Sequence, residues 1–367
     1  MESHLSEAPA PGAADGTLGD ALWSAQGTTP DAVEAALREL ESERYKEDSG
    51  YVPARVLNMI VFVDRAWIGE VANRLAGVGR YHASRVVVLS YEPRRERLDA
   101  RVAIASERRA PGEMGLLRET VTVQIGERHL DDLATIADPL VVSDLPTLLW
   151  SPHGHPDAVD TLLPLAQAVL VDSVDEAVWR DAIGRAAQLS EQAYVVDLAW
   201  LRSTPWRERI AALFDPPAHR RELGSITKIA VHHHPASTVA GLFLLGWLAS
   251  RLGWSAEPLI SHGDALIGKA HARRTDVALR LQPAPEQDVR GLAGLSIEAS
   301  SGRRLSLDRG PGGLRAHSTQ RGGGEHSWTL LGASRGEGGI LGEGIRQALL
   351  RDPTYIPALR VAQAMLP

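Results

Sequence analysis

Apolar residues follow two rhythms along this chain, and each change of rhythm marks an element. Met1 to about Gly27 follows neither; it is rich in Ala, Gly, Pro and Ser, and residues 1–27 read as a disordered tail. Thr29-Pro30 has the residue types of a capped helix start, and Val33, Leu37 and Leu40 then share one face to about Glu43. The polar stretch from Arg44 to Pro53 follows, so 28–53 is predicted to be a helix and linker ahead of the body. Val56 to Val63 is a nearly continuous apolar run, as expected of a strand buried on both faces. Asp64 can cap a helix lined on one side by Trp67, Val71, Leu75 and Val78, and Arg85 to Leu89 is a second buried strand. A parallel β-α-β unit is the simplest arrangement of these three. Leu98–Ile104 and Leu116–Ile125 read as antiparallel strands, Leu130–Ala137 as a helix, Leu140–Val142 and Leu145–Trp150 as strands. Helix 158–165, strand 168–171 and helix 174–189 alternate after them.

The stretch Tyr194–Asp215, YVVDLAWLRSTPWRERIAALFD, is the most distinctive of all. It opens as a strand through Tyr194, Val195, Val196 and Trp200. Ser203-Thr204-Pro205 then reads as a helix start, and Trp206, Ile210, Leu213 and Phe214 form one helical stripe. That phase places Arg207 off the stripe and toward solvent. Strand 226–231 and helix 237–252 follow, then short strands at 277–281, 295–299, 305–307, 314–317 and 328–331 between Gly and Pro turns. Helices 340–350 and 356–365 close the chain. The pattern predicts an α/β protein: two α/β domains with largely parallel sheets plus antiparallel additions, divided as 54–180 and 181–367.

Composition narrows the function classes. The chain has 367 residues, 44% of them hydrophobic, enough for two cores at ~150 residues per domain. A formal charge of −7 and a pI near 6.0 speak against nucleic acid as a partner. There is no cysteine, which excludes disulfides, thiolate nucleophiles and cysteine metal sites. The uncharged run around Ala236–Leu248 is shorter than the ~20 residues a membrane span needs. No signal-peptide pattern opens the chain, and a cytoplasmic setting is the expectation.

Several motifs come close to a known chemistry. Gly263–Lys269, GDALIGK, has phosphate-loop spacing, but Ala270 stands where a Mg²⁺-binding hydroxyl belongs, so it is expected to be a helix-bearing loop. His232-His233-His234 cannot converge on one ion if the chain is extended there. His153 and His155 could share a face, but a closed metal site would still need a carboxylate or a third His. The glycine-rich runs 310–313, 321–325 and 336–344 miss the dinucleotide spacing and read as turns. No nucleophile elbow or HExxH is present, and no cofactor or metal is expected. Trp150, Trp200 and Trp206 are either core residues or anchors of a partner-facing patch with the arginines beside them.

The run DLAWLRSTPWRERIAALFD resembles the segment that characterises the glucose-6-phosphate dehydrogenase assembly protein family, called OpcA. ARVLNMIVFV, ASRVVVLSYEP, DLPTLLWSPHGHPD and LFLLGWLASRLGW are similar to that family too, together covering about Ala54 to Trp254. The resemblance implies a non-catalytic accessory protein that promotes assembly or activation of oligomeric glucose-6-phosphate dehydrogenase, with that enzyme as its partner. Trp150, Trp200, Arg202, Thr204, Trp206 and Arg207 are the candidate partner-binding residues. The competing reading is a metabolite-binding module or enzyme with a sugar-phosphate or nucleotide pocket.

Overall fold

A computed structural model describes residues 21–47, 51–52, 55–78, 84–107, 115–320, 322, 324–331 and 336–367. The chain divides into two interleaved units. Unit 1 comprises Met1–Val171, Gln192–Val196 and Glu337–Leu350; unit 2 comprises Asp172–Glu191, Asp197–Gly336 and Arg351–Pro367. A single cut at 180/181 does not reproduce this division. Strand residues 194–196 complete a sheet begun far upstream, and residues 337–350 return to unit 1, so the grouping follows packing between distant segments.

Unit 1 is built on a sheet with strands β1 (Ala21–Ala25), β2 (Tyr51–Val52), β3 (Leu57–Asp64), β4 (Ser84–Tyr91), β5 (Asp99–Glu107), β6 (Gly115–Ile125), β7 (Thr147–Trp150), β8 (Ala168–Val171) and β9 (Tyr194–Asp197). Their order is β1-β5-β6-β4-β3-β7-β8-β9, with β2 beside β6. Neighbours from β6 through β8 are parallel. Strand β6 pairs antiparallel with β5, as the pattern of 98–104 and 116–125 predicts, and on its other side joins the parallel core through β4. Counted without β1, β2 and β5, the chain order across the sheet is 3-2-1-4-5-6, the doubly wound dinucleotide-fold order. Strand β3 is buried over seven of its eight residues, as its unbroken apolar run requires.

Residues 1–20 lie outside the described residues, whereas Ala21–Ala25, expected within the tail, pairs with β5 from Ala21↔Ile104 to Ala25↔Ala100. Five residues are too few to display a period, and the partner that orders them lies about eighty positions downstream. Helices α1 (Pro30–Glu47), α2 (Ile68–Val78), α3 (Leu133–Ala137) and α4 (Pro156–Leu162) belong to this unit. Leu140 closes a 3-10 turn instead of opening a strand. A buried ion network ties α1 to the sheet: Glu119 on β6 accepts from Arg55 Nε and Arg85 Nε at 2.8 Å each. Both arginines also reach Glu41 of α1, at 2.8 and 2.6 Å. Burial, and then the nearby Glu119 charge, raises the pKa of Glu41 despite those arginines.

Unit 2 contains α5 (Trp179–Ser190), α6 (Leu198–Arg202), α7 (Thr204–Phe214), α8 (Pro217–Arg220), α9 (Thr238–Leu252) and, after α10 (Gly336–Leu350), α11 (Tyr355–Ala364). Its sheet holds β10 (Ile226–His233), β11 (Ser255–Ala256), β12 (Ile260–His262), β13 (Ala265–His271), β14 (Asp276–Pro283), β15 (Leu292–Ala299), β16 (Arg304–Gly310), β17 (Gly313–Gln320) and β18 (Gly324–Leu331). The α/β class holds in both units, but here the balance is reversed. Only β10–β14 is parallel among the described pairs, and the expected meander is the greater part of the sheet.

Strand β14 buries Val277, Leu279 and Leu281 and exposes Asp276, Ala278 and Arg280, so one face of the sheet is apolar. Helix α9 packs on β10 and β14, with α11 against it. Gly246 permits that approach, since a Cβ there would fall 2.4 Å from the Ala358 carbonyl oxygen. The apolar run in 238–252 is thus a buried helix, and no described helix is long and apolar enough to cross a membrane. Gly263 turns the chain into β13, so the segment with phosphate-loop spacing is a strand and bears no helix.

Candidate functional site

The distinctive stretch folds into a strand end and two short helices. Strand β9 stops at Asp197, whose side chain accepts from Ala199 N–H at 2.9 Å and caps α6. Trp200 is therefore helical, not part of the strand. Ser203 links α6 to α7 but makes no side-chain cap; its hydroxyl donates back to the Trp200 carbonyl at 2.7 Å.

Trp200 is 1% exposed and packs edge-to-face on Phe243 and Tyr355, with ring centroids 6.1 and 5.5 Å away. Its indole N–H donates to Asp352 Oδ2 at 2.8 Å. Arg207 lies across the same ring, its guanidinium carbon 3.5 Å from the ring centroid. The guanidinium also donates to Ser203 Oγ at 3.1 Å and to Thr204 Oγ1 at 2.9 Å, and sits 3.5 Å from Asp352 Oδ2. Asp352 Oδ1 accepts from the Thr354 N–H and hydroxyl at 2.8 and 2.6 Å.

A fully buried carboxylate, Asp197, adjoins these groups. Asp197 accepts from the Ser173 hydroxyl and N–H and from Tyr355 Oη at 3.4 Å. Arg202 makes a two-pronged pair with Asp172, at 2.8 and 2.7 Å. Segments 172–173, 197–207 and 352–355 are thus held by one continuous set of polar contacts. Each of these begins at or beside a point where the chain enters unit 2, at Asp172, Asp197 and Arg351.

Burial dominates the electrostatics of Asp197 and Arg207. Burial pushes the Asp197 carboxyl up to about 6 against the pull of its Ser173 and Ala199 hydrogen bonds. Burial lowers Arg207 to about 10, and Asp352 opposes that fall. Asp352 is lowered: burial works against its charge, but Thr354, Trp200 and Arg207 outweigh it. The Ser173 hydroxyl, 3% exposed as a residue, is committed to Asp197, so this network does not present it as a nucleophile.

The candidate residues therefore separate by burial. Trp150, Trp200, Trp206 and Arg207 are 1%, 1%, 4% and 8% exposed, whereas Arg202 and Thr204 are half-buried. Trp150 lies in unit 1 under the Arg74 guanidinium, 4.9 Å from its ring centroid. Arg207 does not face solvent as its helical phase predicts. Being off the α7 stripe turns it onto α6 and Asp352, elements the phase of α7 cannot report. Asp352 and Ser173 went unrecognised in the sequence, having no motif around them.

His233 and His234 turn to backbone partners of their own. His233 is buried with Nδ1 2.8 Å from the His234 carbonyl, and His234 Nδ1 accepts from Ala236 N–H at 3.1 Å. Burial lowers the pKa of His233. No group of three or more His, Asp or Glu among the described residues is placed to hold a metal.

Fold and site together define a two-unit α/β protein: a dinucleotide-type sheet in one unit, and in the other a mostly antiparallel sheet with a buried Trp–Arg–Asp network. Two family models match in tandem, the glucose-6-phosphate dehydrogenase subunit N-terminal domain over 76–191 and the C-terminal domain over 193–359. The chain belongs to the glucose-6-phosphate dehydrogenase assembly protein family, OpcA. It is 30% identical over 141 residues to the OxPP cycle protein OpcA of Synechocystis sp., covering 37% of this chain and 30% of that one. It is 27% identical over 184 residues to the protein of the same name from Nostoc punctiforme, covering 48% and 40%. The matched stretches thus span about a third of the length of these curated relatives. Among solved structures, the aldose-aldose oxidoreductase of Caulobacter crescentus aligns with TM-score 0.48 and 11% identity over 85% of this chain and 96% of its own. The scyllo-inositol dehydrogenase of Lactobacillus casei aligns with TM-score 0.43 and 11% identity over the same shares.

Proposed function

We propose that this protein is a non-catalytic accessory factor that promotes assembly or activation of oligomeric glucose-6-phosphate dehydrogenase in the oxidative pentose phosphate pathway. The observation that carries the reading is the tandem match to both domains named for a subunit of that dehydrogenase. The chemistry of the signature segment supports it, because its buried groups are engaged in holding three chain segments together. Trp150, Trp200, Trp206 and Arg207 then serve partner binding through the fold, and contact falls to Arg202 and Thr204, the half-buried members.

The test is an assay of the dehydrogenase from the same organism with and without the purified chain, alongside light scattering to follow its oligomers. The expected result is higher activity or a shift toward the larger oligomer when the chain is present. An unchanged rate, unchanged oligomer distribution and no association would overturn the proposal.

A further inference from the structure

The strand order of unit 1 implies a place for a dinucleotide, in the crevice outside the carboxyl ends of β3 and β7 where the order reverses. In such folds the turn after the first strand carries G-x-G-x-x-G. The first glycine makes the tight turn, the second lets backbone approach the pyrophosphate, and the third serves helix packing. Strand β3 runs into Asp64-Arg65-Ala66-Trp67-Ile68-Gly69, with Asp64 at the tight-turn position and Ala66 where backbone would approach the pyrophosphate. Gly69 alone is retained, and a Cβ there would meet nothing within 4 Å. The turn also presents Asp64 and, as the third residue of α2, Glu70, which oppose a pyrophosphate by charge.

The space over this turn is occupied by the chain itself. Gly154 and His155 both take positive φ, 97° and 60°, bending the loop after β7 back over the switch point. His155 Nε2 comes 3.2 Å from Asp64 Oδ2, and its ring packs edge-on against Phe62 and Tyr91, centroids 4.9 and 5.9 Å away. That places one imidazole across the ends of both β3 and β4. His153 stacks on Trp67 at 5.0 Å, its Nε2 3.8 Å from Glu70 Oε2. At the end of β4, Glu92 stands near the position where such folds hold the ribose hydroxyls. It is engaged by Arg65 at 2.7 Å and Arg95 at 2.9 Å, which lower its pKa. The polarity of the crevice is inverted: acids sit on the turn, and imidazoles sit where the ligand would be.

We infer that the dinucleotide crevice of unit 1 is closed from within, by a 151–155 loop seated on an acidic turn, and that this chain binds no nicotinamide dinucleotide. The test uses the whole chain, without dehydrogenase, in calorimetric titrations with NAD⁺, NADH, NADP⁺ and NADPH at millimolar concentration. No saturable heat is expected, and saturable binding of any one of them overturns the inference. A second measurement addresses the plug directly, by hydrogen exchange of wild type and the His153→Ala/His155→Ala variant. Exchange at amides 65–70 should quicken several-fold in the variant while β3 and β4 keep their protection. Unchanged exchange at the turn would show that the loop is not seated there. These outcomes are independent of the accessory role: dinucleotide binding would sink the closed crevice and leave dehydrogenase activation standing, and the reverse result would do the opposite.

Discussion

Unit 1 and unit 2 each hold a cluster of aromatic, basic and acidic side chains, and the two are built on opposite principles. In unit 2, Trp200 and Arg207 are 1% and 8% exposed, and their polar atoms meet Asp352, Ser203 and Thr204. In unit 1, Trp67 is 47% exposed and the imidazoles of His153 and His155 approach carboxylates without making hydrogen bonds to them. A buried network must satisfy every group it removes from water, so it tolerates few residue types and leaves a conspicuous signature. The rim is satisfied less completely, with Nε2 of both histidines buried and without a hydrogen bond, and it reads as ordinary loop. The conspicuous stretch is consequently the more deeply buried one. The inconspicuous loop and turn record what became of the crevice.

Substitution separates the two clusters most sharply at Trp200. Trp200→Ala should cost about 3–5 kcal/mol, since it opens a cavity beside Phe243 and Tyr355 and strips partners from Asp352 and Arg207. Denaturant unfolding followed by fluorescence measures this, and a loss under about 1 kcal/mol would mean the network is loose. Trp67→Ala in the rim should cost far less in the same assay, because half the ring is already in water.

Arg207→Glu comes next. It sets a carboxylate against Asp352 in a buried site and should destabilise by about 3–5 kcal/mol, whereas the apolar Arg207→Leu should cost less. A melting temperature unchanged in Arg207→Glu would restore the solvent-facing arginine that helical phase suggests. The pH dependence of Asp197 is smaller. Its folded pKa of about 6 exceeds the ordinary 3.8, so between these values the native state keeps a proton that the unfolded chain has lost. Its contribution is fully present below about pH 4 and is lost as pH rises through 6, amounting to about 3 kcal/mol at most. Asp197→Asn keeps most of the hydrogen bonds and should remove that slope from the stability profile between pH 4 and 6. An identical slope in both proteins would place the buried proton elsewhere.

The smallest effect on stability is expected for Arg202→Gln, which removes the ion pair with Asp172 without setting a second carboxylate beside it. Losing the pair with Asp172 should cost about 1–2 kcal/mol, with the fold retained. Dehydrogenase activation should nonetheless fall several-fold if Arg202 meets the partner. Full activation by this variant would move the contact away from the signature altogether.

Local physics carried much of this structure. The seven buried residues of β3, the helix over Trp206 and Ile210, the buried α9 and the short-strand meander all follow from runs and periods within single segments. The absence of cysteine likewise leaves this chain without a thiol. What the sequence could not decide were pairings between segments far apart. Nothing near Ala21 announces β5, and nothing near Trp200 announces Asp352, 152 residues further on. The phase of α7 reports only which side of one helix is apolar. Arg207 lies on the other side and is still buried, because α6 and Asp352 close over it. In the same way, Asp64-Arg65-Ala66 becomes an altered phosphate turn only once β7 lies beside β3 and defines the crevice. Period and composition act over a few residues, whereas strand order, burial of charge and the ends of a sheet are settled by contacts that sequence distance does not encode.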